Sequence, residues 1–126
     1  MYDNPMKISE AAYIAGFIDG EGCIGIGWTR SRHNAKKRYR KLSLQITQTE
    51  REPLDFVVEK LGVGKVYGPH IRQAGELGTK PRYTYSLRRQ PEIVRVLRLL
   101  LPYFIVKRAR AEAAIAAYGD APEYDE

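Results

Sequence analysis

The sequence predicts an α+β fold: a four-stranded antiparallel sheet made of two hairpins, with helices packed on one face. Three observations carry this. Side chains alternate with period two over residues 23–29, 39–48 and 82–88. Apolar stretches with helical spacing separate the alternating segments. The resulting order is helix, hairpin, helix, hairpin, helix, helix, so a hairpin-plus-helix unit occurs twice without a clear repeat of residues.

The first helix starts at Glu10, capped by Ser9, with an acid in its first turn to suit the dipole. It runs to about Asp19 and is apolar almost all round, so it must be buried or paired. Gly16 and Gly20 stand four apart on one face, where they permit close helix contact or packing on the chain's own sheet. From Cys23 to Thr29, Ile24, Ile26 and Trp28 form one face of a strand and Cys23, Gly25, Gly27 and Thr29 the other. Arg30–Arg38 reads as a hairpin loop with Asn34 as a turn residue. Tyr39 to Gln48 is the second strand, with Leu42, Leu44 and Ile46 inward.

Glu50 to Leu61 is an amphipathic helix, with Pro53 in its first turn and Gly62 at its end. Val63 to Tyr67 is a short third strand, and Pro69 to Pro81 a long loop. In the fourth strand, Arg82 to Arg88, residues Arg82, Thr84 and Ser86 oppose Tyr83, Tyr85 and Leu87. Pro91 opens a third helix over Glu92 to Leu101, and Pro102 breaks it. A fourth helix is expected from about Tyr103 to Tyr118, ended by Gly119. One domain over residues 1–126 follows, with 119–126 as a loosely packed acidic tail.

The net charge of +6 is distributed unevenly. From Gly22 to Thr49 there is no acid, against Arg30, Arg32, Lys36, Lys37, Arg38, Arg40 and Lys41. From Gly62 to Pro91 the only acid is Glu76, against Lys65, Arg72, Lys80, Arg82, Arg88 and Arg89. One such block reads as a solvated loop; two in similar contexts read as a polyanion footprint. The polar sheet face offers Gly25, Gly27, Thr29, Lys41, Ser43, Gln45, Thr47, Lys65, Tyr67, Arg82, Thr84 and Ser86. A two-stranded ribbon of this kind fits a DNA major groove. Base-edge contacts are expected from Gln45, Arg82 and Lys41, and phosphate contacts from the loop cations.

No apolar run nears the roughly 20 residues that span a membrane. Nor does the start of the chain carry a signal-type segment, so the expected location is the cytoplasm, or an organelle matrix for an organelle-encoded chain. A single cysteine, Cys23, excludes an internal disulfide and a multi-cysteine zinc site. The two histidines, His33 and His70, fall in expected loops, where exposure or a phosphate contact is favoured over catalysis.

The residues around which all this is arranged are Ile14-Ala15-Gly16-Phe17-Ile18-Asp19-Gly20-Glu21-Gly22. They close the apolar helix, open a strand and set Asp19 and Glu21 at the junction. If a second copy of the helix packed on the first, two Glu21 carboxylates would meet and suit Mg²⁺, which prefers oxygen ligands and water.

With the flanking Tyr13 and Cys23-Ile24, this stretch resembles the LAGLIDADG motif of homing endonucleases. Ile replaces the first Leu, Phe the second, Gly the second Ala and Glu the last Asp. Gln45-Ile46-Thr47-Gln48 is similar to the end of the second strand in single-motif members, and Leu61-Gly62-Val63-Gly64 to the step from second helix to third strand. The element order matches that family's αββαββα core. Pro102 to Ala111 resembles its turn into the post-core helix, where Lys107 takes the place of a lysine that reaches the active site.

The resemblance implies a site-specific, metal-dependent DNA endonuclease acting as a homodimer through Tyr13, Gly16, Phe17 and Gly20, in the setting of intron homing. It implies metal binding by Glu21 with the Gly20 carbonyl, Mg²⁺ being the cofactor and Mn²⁺ its substitute. Gln48 and Lys107 would order water and stabilise phosphate charge, and Asp19 would shape the helix end. The target would be long and nearly palindromic, cut on both strands with a stagger across the minor groove. Two departures stand out: Glu for the metal-binding Asp, and Thr49-Glu50-Arg51 where the family often has a basic residue straight after the glutamine. Two other readings use the same residues. One is a non-cleaving maturase or transcription regulator of the same descent; the other is a basic RNA-binding structural protein, which has no need for an acidic pair in a glycine-rich helix end.

Overall fold

The computed structural model describes residues 6–30, 38–71 and 80–120. Helix α1 (Ile8–Glu21) leads into strands β1 (Gly22–Arg30) and β2 (Arg38–Gln48), then α2 (Glu52–Leu61), β3 (Lys65–His70) and β4 (Arg82–Leu87). Helix α3 (Gln90–Leu100), a 3₁₀ turn (Leu101–Tyr103) and α4 (Arg108–Asp120) complete the chain. The four strands form one antiparallel sheet in the order β1-β2-β4-β3, so the second strand of each hairpin lies at the centre.

The alternation read from sequence sets the layers. Leu42, Leu44 and Ile46 of β2, Ile24 of β1, and Tyr85 and Leu87 of β4 are buried on one side. Ala11, Ile14, Ala15 and Ile18 of α1, Leu54, Val57 and Leu61 of α2, and Ile93, Val96, Leu97 and Leu100 of α3 complete this core. Each Val, Leu or Ile side chain so removed from water is worth about 1.5–3 kcal/mol, and that burial holds the helices to the sheet. The other sheet face carries no helix among the described residues. Trp28, on the same strand face as buried Ile24, is 42 % exposed, because it sits at the far end of the β1–β2 ribbon.

Local chemistry explains the element ends. Helix α1 begins at Ile8, two residues before the expected start, because Glu10 rather than Ser9 makes the cap. Its carboxylate accepts from the Lys7 N–H at 2.9 Å and pairs with Lys60 of α2 at 3.1 Å. Helix α2 ends at Gly62, whose φ of 74° is the left-handed conformation that glycine adopts at least cost. Strand β3 begins at Lys65, two residues later than expected, because the Tyr85 hydroxyl donates to the Val63 carbonyl at 2.9 Å and holds residues 63–64 outside the ladder. A Cβ on Gly64, at φ +93°, would lie 2.4 Å from the Tyr85 ring. Where β4 stops, the Gln90 side chain takes over its pairing: it accepts from the Leu42 N–H at 2.5 Å and donates to the Leu42 carbonyl at 2.9 Å.

The fourth helix differs from its expectation. Residues 104–107 form a turn and α4 starts only at Arg108, then runs through Gly119 to Asp120. The apolar Phe104, Ile105 and Val106 read as helix in the sequence, but only Phe104 is buried. The rest of the acidic tail, 121–126, lies outside the described residues. No described helix is long and apolar enough to cross a membrane.

Candidate active site

Helix α1 has two working faces. Ala11, Ile14, Ala15 and Ile18 pack inward, so its other side, with Ala12, Tyr13, Gly16 and Gly20, faces out and is exposed. A methyl built on Gly16 or Gly20 meets no atom within 4 Å. The glycines are therefore not spent on the chain's own sheet. Beside them Tyr13 stacks on Phe17 with centroids 6.0 Å apart and meets Phe56 of α2 edge-on at 5.4 Å. The result is an exposed stripe of small residues flanked by a fixed aromatic cluster.

At the C-terminal end of α1 the chain turns directly into β1. The Gly22 N–H donates to the Ile18 carbonyl, and a Cβ on Gly22 would come within 2.9 Å of the Ile18 side chain, so glycine permits this tight turn. Glu21 is exposed just before it, in no ion pair among the described residues. Asp19 is engaged instead. Its carboxylate accepts from the N–H groups of Ile105 (2.8 Å), Val106 (3.2 Å) and Lys107 (2.9 Å). The Lys107 ammonium donates to the Asp19 carbonyl at 2.8 Å. Burial of the Asp19 carboxyl opposes its ionisation, but the three N–H donors and the Lys107 charge outweigh this and hold it below its ordinary pKa. The last turn of α1 contains no basic residue, so Lys107 brings from 88 residues away the cation its negative end favours.

The donor set at this junction has the chemistry of a hard divalent cation's ligands. One chain offers the Glu21 carboxylate and the neighbouring Gly20 carbonyl, both oxygen, at the negative end of a helix. Among the described residues, no three His, Cys, Asp or Glu side chains gather into a metal site. Gln48 ends β2, two residues beyond Ile46, the partner of Gly22. Its side-chain oxygen accepts from the Thr49 N–H at 2.9 Å. Arg51 is turned to Asp55 at 3.2 Å and lies over the Tyr83 ring.

The helix-free sheet face is polar and, among the described residues, carries no carboxylate. Across the strands Gly25 faces Ser43, Gly27 faces Lys41, Gln45 faces Ser86, Thr47 faces Thr84, and Ser86 and Thr84 face Lys65 and Tyr67 of β3. Arg82 pairs with His70, Thr29 lies at the ribbon end, and Lys80 is exposed just before β4. A hollow in this face is lined by Gln45, Thr47, Tyr67, His70, Thr84, Ser86 and Arg88. The Thr47 and Thr84 hydroxyls stand 3.3 Å apart, and the Ser86 hydroxyl is buried with no hydrogen-bond partner among the described residues.

Two cations of the first basic block, expected as DNA contacts, lie off this face. Arg40 alternates with Leu42 and stacks over Trp28, 4.6 Å from the ring, on the helix-bearing side. Arg30 shares the parity of Trp28 and pairs in register with Arg38. Arg32, Lys36, Lys37 and Arg72 lie outside the described residues. Thr47 lines the hollow as the polar face implied, and so does His70, for which a phosphate contact was expected; Arg88, counted only as a cation of the basic block, joins them. Arg88 is the next step in the alternation 82, 84, 86, and that signal was available in the sequence.

The model of the LAGLIDADG endonuclease family matches residues 14–105. Among solved structures, the homing endonuclease I-CvuI in complex with its target superposes with a TM-score of 0.69 and 27% identity over 85% of this chain. The archaeal intron-encoded homing endonuclease I-Vdi141I complexed with DNA gives 0.63 and 26% over 84%. The homing endonuclease I-TnaI, at 21% identity over 82% of this chain and 67% of its own, shares the fold with a TM-score of 0.64. The chain spans 64% of the length of I-CvuI and of I-Vdi141I. No functionally curated protein matches.

Proposed function

The chain belongs to the LAGLIDADG endonuclease family, and on that premise we propose that it is a site-specific, metal-dependent DNA endonuclease working as a homodimer on a long, nearly palindromic target. One observation carries the reading. A single exposed carboxylate, Glu21, stands at the end of an outward-facing glycine stripe, and the described part of one chain gathers no further side-chain ligands around it. A second copy packed along Gly16 and Gly20, flanked by Tyr13 and Phe17, supplies the second carboxylate. Two I-CvuI complexes were determined with DNA in the presence of Ca or Mg, which supports a divalent cation for this chain.

Glu21 and the Gly20 carbonyl hold the cation, Mg²⁺ with Mn²⁺ as its substitute. A cation held there would supply water activation and neutralisation of the charge that develops on the phosphate. The chain's own groups do the rest. Lys107 places an ammonium beside the same helix end, where a phosphate oxygen gains charge. Gln48 orders water there. The polar face, with Gln45, Lys41, Ser43, Thr84, Ser86, Lys65, Tyr67 and Arg82, lies along the major groove, and exposed cations contact phosphates.

The test is cleavage of a plasmid library with randomised half-sites, in Mg²⁺ or EDTA, by wild type and Glu21→Gln. Metal-dependent double-strand cuts at a near-palindrome, lost in the variant, support the proposal. Binding without cleavage under every metal tried would make the chain a non-cleaving member of the family. Cleavage surviving in Glu21→Gln would remove Glu21 as the metal ligand.

A further inference from the structure

We infer that Asp19 is a positioning residue: it fixes where the Lys107 ammonium stands relative to Glu21. This rests on the endonuclease reading and goes beyond it, since it assigns a working role to the acid that does not bind metal. The turn 104–107 delivers Lys107, yet packing holds it only at one end. Phe104 is fully buried, but Ile105 and Val106 are 85% and 75% exposed. Arg108 ties the far side of the turn to the Pro102 and Phe104 carbonyls, both at 3.1 Å, which stiffens it without docking it on α1. The docking is done by Asp19. Its carboxylate takes three successive N–H groups, and its carbonyl takes the ammonium itself. A simple helix cap needs only the first of these. Because Asp19 lies two residues before Glu21 on the same helical turn, a shift of the turn is a shift of Lys107 against Glu21.

The experiment measures single-turnover cleavage at saturating protein, DNA affinity without metal, and unfolding temperature for wild type, Asp19→Asn, Lys107→Met and the double variant. Displacing a reacting group by about 1 Å costs on the order of 10²-fold in rate, and that is the loss expected for Asp19→Asn and for Lys107→Met. DNA affinity should be unchanged in both, and the double variant no slower than Lys107→Met alone. A double variant whose loss is the product of the single losses would overturn the inference, because the two residues would then act independently. A loss of DNA affinity parallel to the loss of rate would overturn it too, since Asp19 would merely be holding the fold. If Asp19→Asn fails to fold, Asp19→Glu carries the test, because it keeps the charge and moves the carboxylate by one methylene: a rate loss at unchanged DNA affinity supports the inference, and wild-type cleavage refutes it. A wild type that binds and cuts no site overturns the endonuclease reading itself, an outcome distinct from all of these.

Discussion

Replacing Gly16 and Gly20 by alanine has opposite effects on the single chain and on the proposed dimer. Glycine inside a helix costs roughly 0.5–1 kcal/mol relative to alanine. Neither added methyl meets an atom within 4 Å, so the isolated chain should gain about 1–2 kcal/mol from the pair. In a symmetric interface along this stripe the same two changes place four methyls between closely packed helices. At about 1 kcal/mol or more of overpacking each, association weakens by roughly 4 kcal/mol, about a thousandfold in Kd. Urea unfolding at high dilution reads the first quantity, sedimentation velocity across a concentration series the second, and plasmid cleavage the consequence. Higher chain stability with lost dimer and lost cleavage is expected. A double variant that gains stability yet still dimerises and cuts like wild type would refute α1 as the interface. A variant less stable as a monomer would refute the claim that the glycines face outward.

Removing the side chain that extends the β4 ladder, by Gln90→Ala, strands the Leu42 N–H and carbonyl and should cost about 1–3 kcal/mol in chemical denaturation. Gly64→Ala forces a side chain into a left-handed backbone and into the Tyr85 ring, and should cost at least about 1–2 kcal/mol by the same assay. The Glu10 carboxyl is held below its ordinary pKa of 4.5, first by the Lys7 N–H and then by Lys60. Its stabilising bonds are therefore complete above that value and are lost as pH falls through the depressed one. The unfolding temperature should hold from neutral pH down to about 5 and drop below about 4, and Glu10→Gln should reduce the drop. Gln45→Ala should relax preference at one base pair per half-site by about 1–3 kcal/mol, measured by selection from a randomised binding library, while other positions keep their preference.

The sheet was legible because one face is buried: Leu42, Leu44 and Ile46 fix the register of β2, and a slip by one residue would expose all three. The junction at Asp19, Gly20 and Glu21 was legible because its residue types and spacing are unusual together. The turn before α4 was not. Phe104-Ile105-Val106 is apolar enough to look helical, and what unwinds it is a carboxylate more than 80 residues earlier. No local pattern reports such a partner. Arg40 shows a different limit: its parity with Leu42 places it on the helix-bearing side, where it stacks over the Trp28 ring, and nothing in its run of cations reports that partner.

The Asp19 bonds also order events in time. They join residue 19 to residues 105–107, and loop closure over such a span is costly until the intervening core is in place. During synthesis, the motif helix leaves the ribosome long before Lys107 is added. A nascent chain can display Glu21 yet lack the ammonium beside it. In the proposed endonuclease the cutting site would therefore be completed only when α4 has docked, so a half-made chain would bind metal without the cation that the reaction needs.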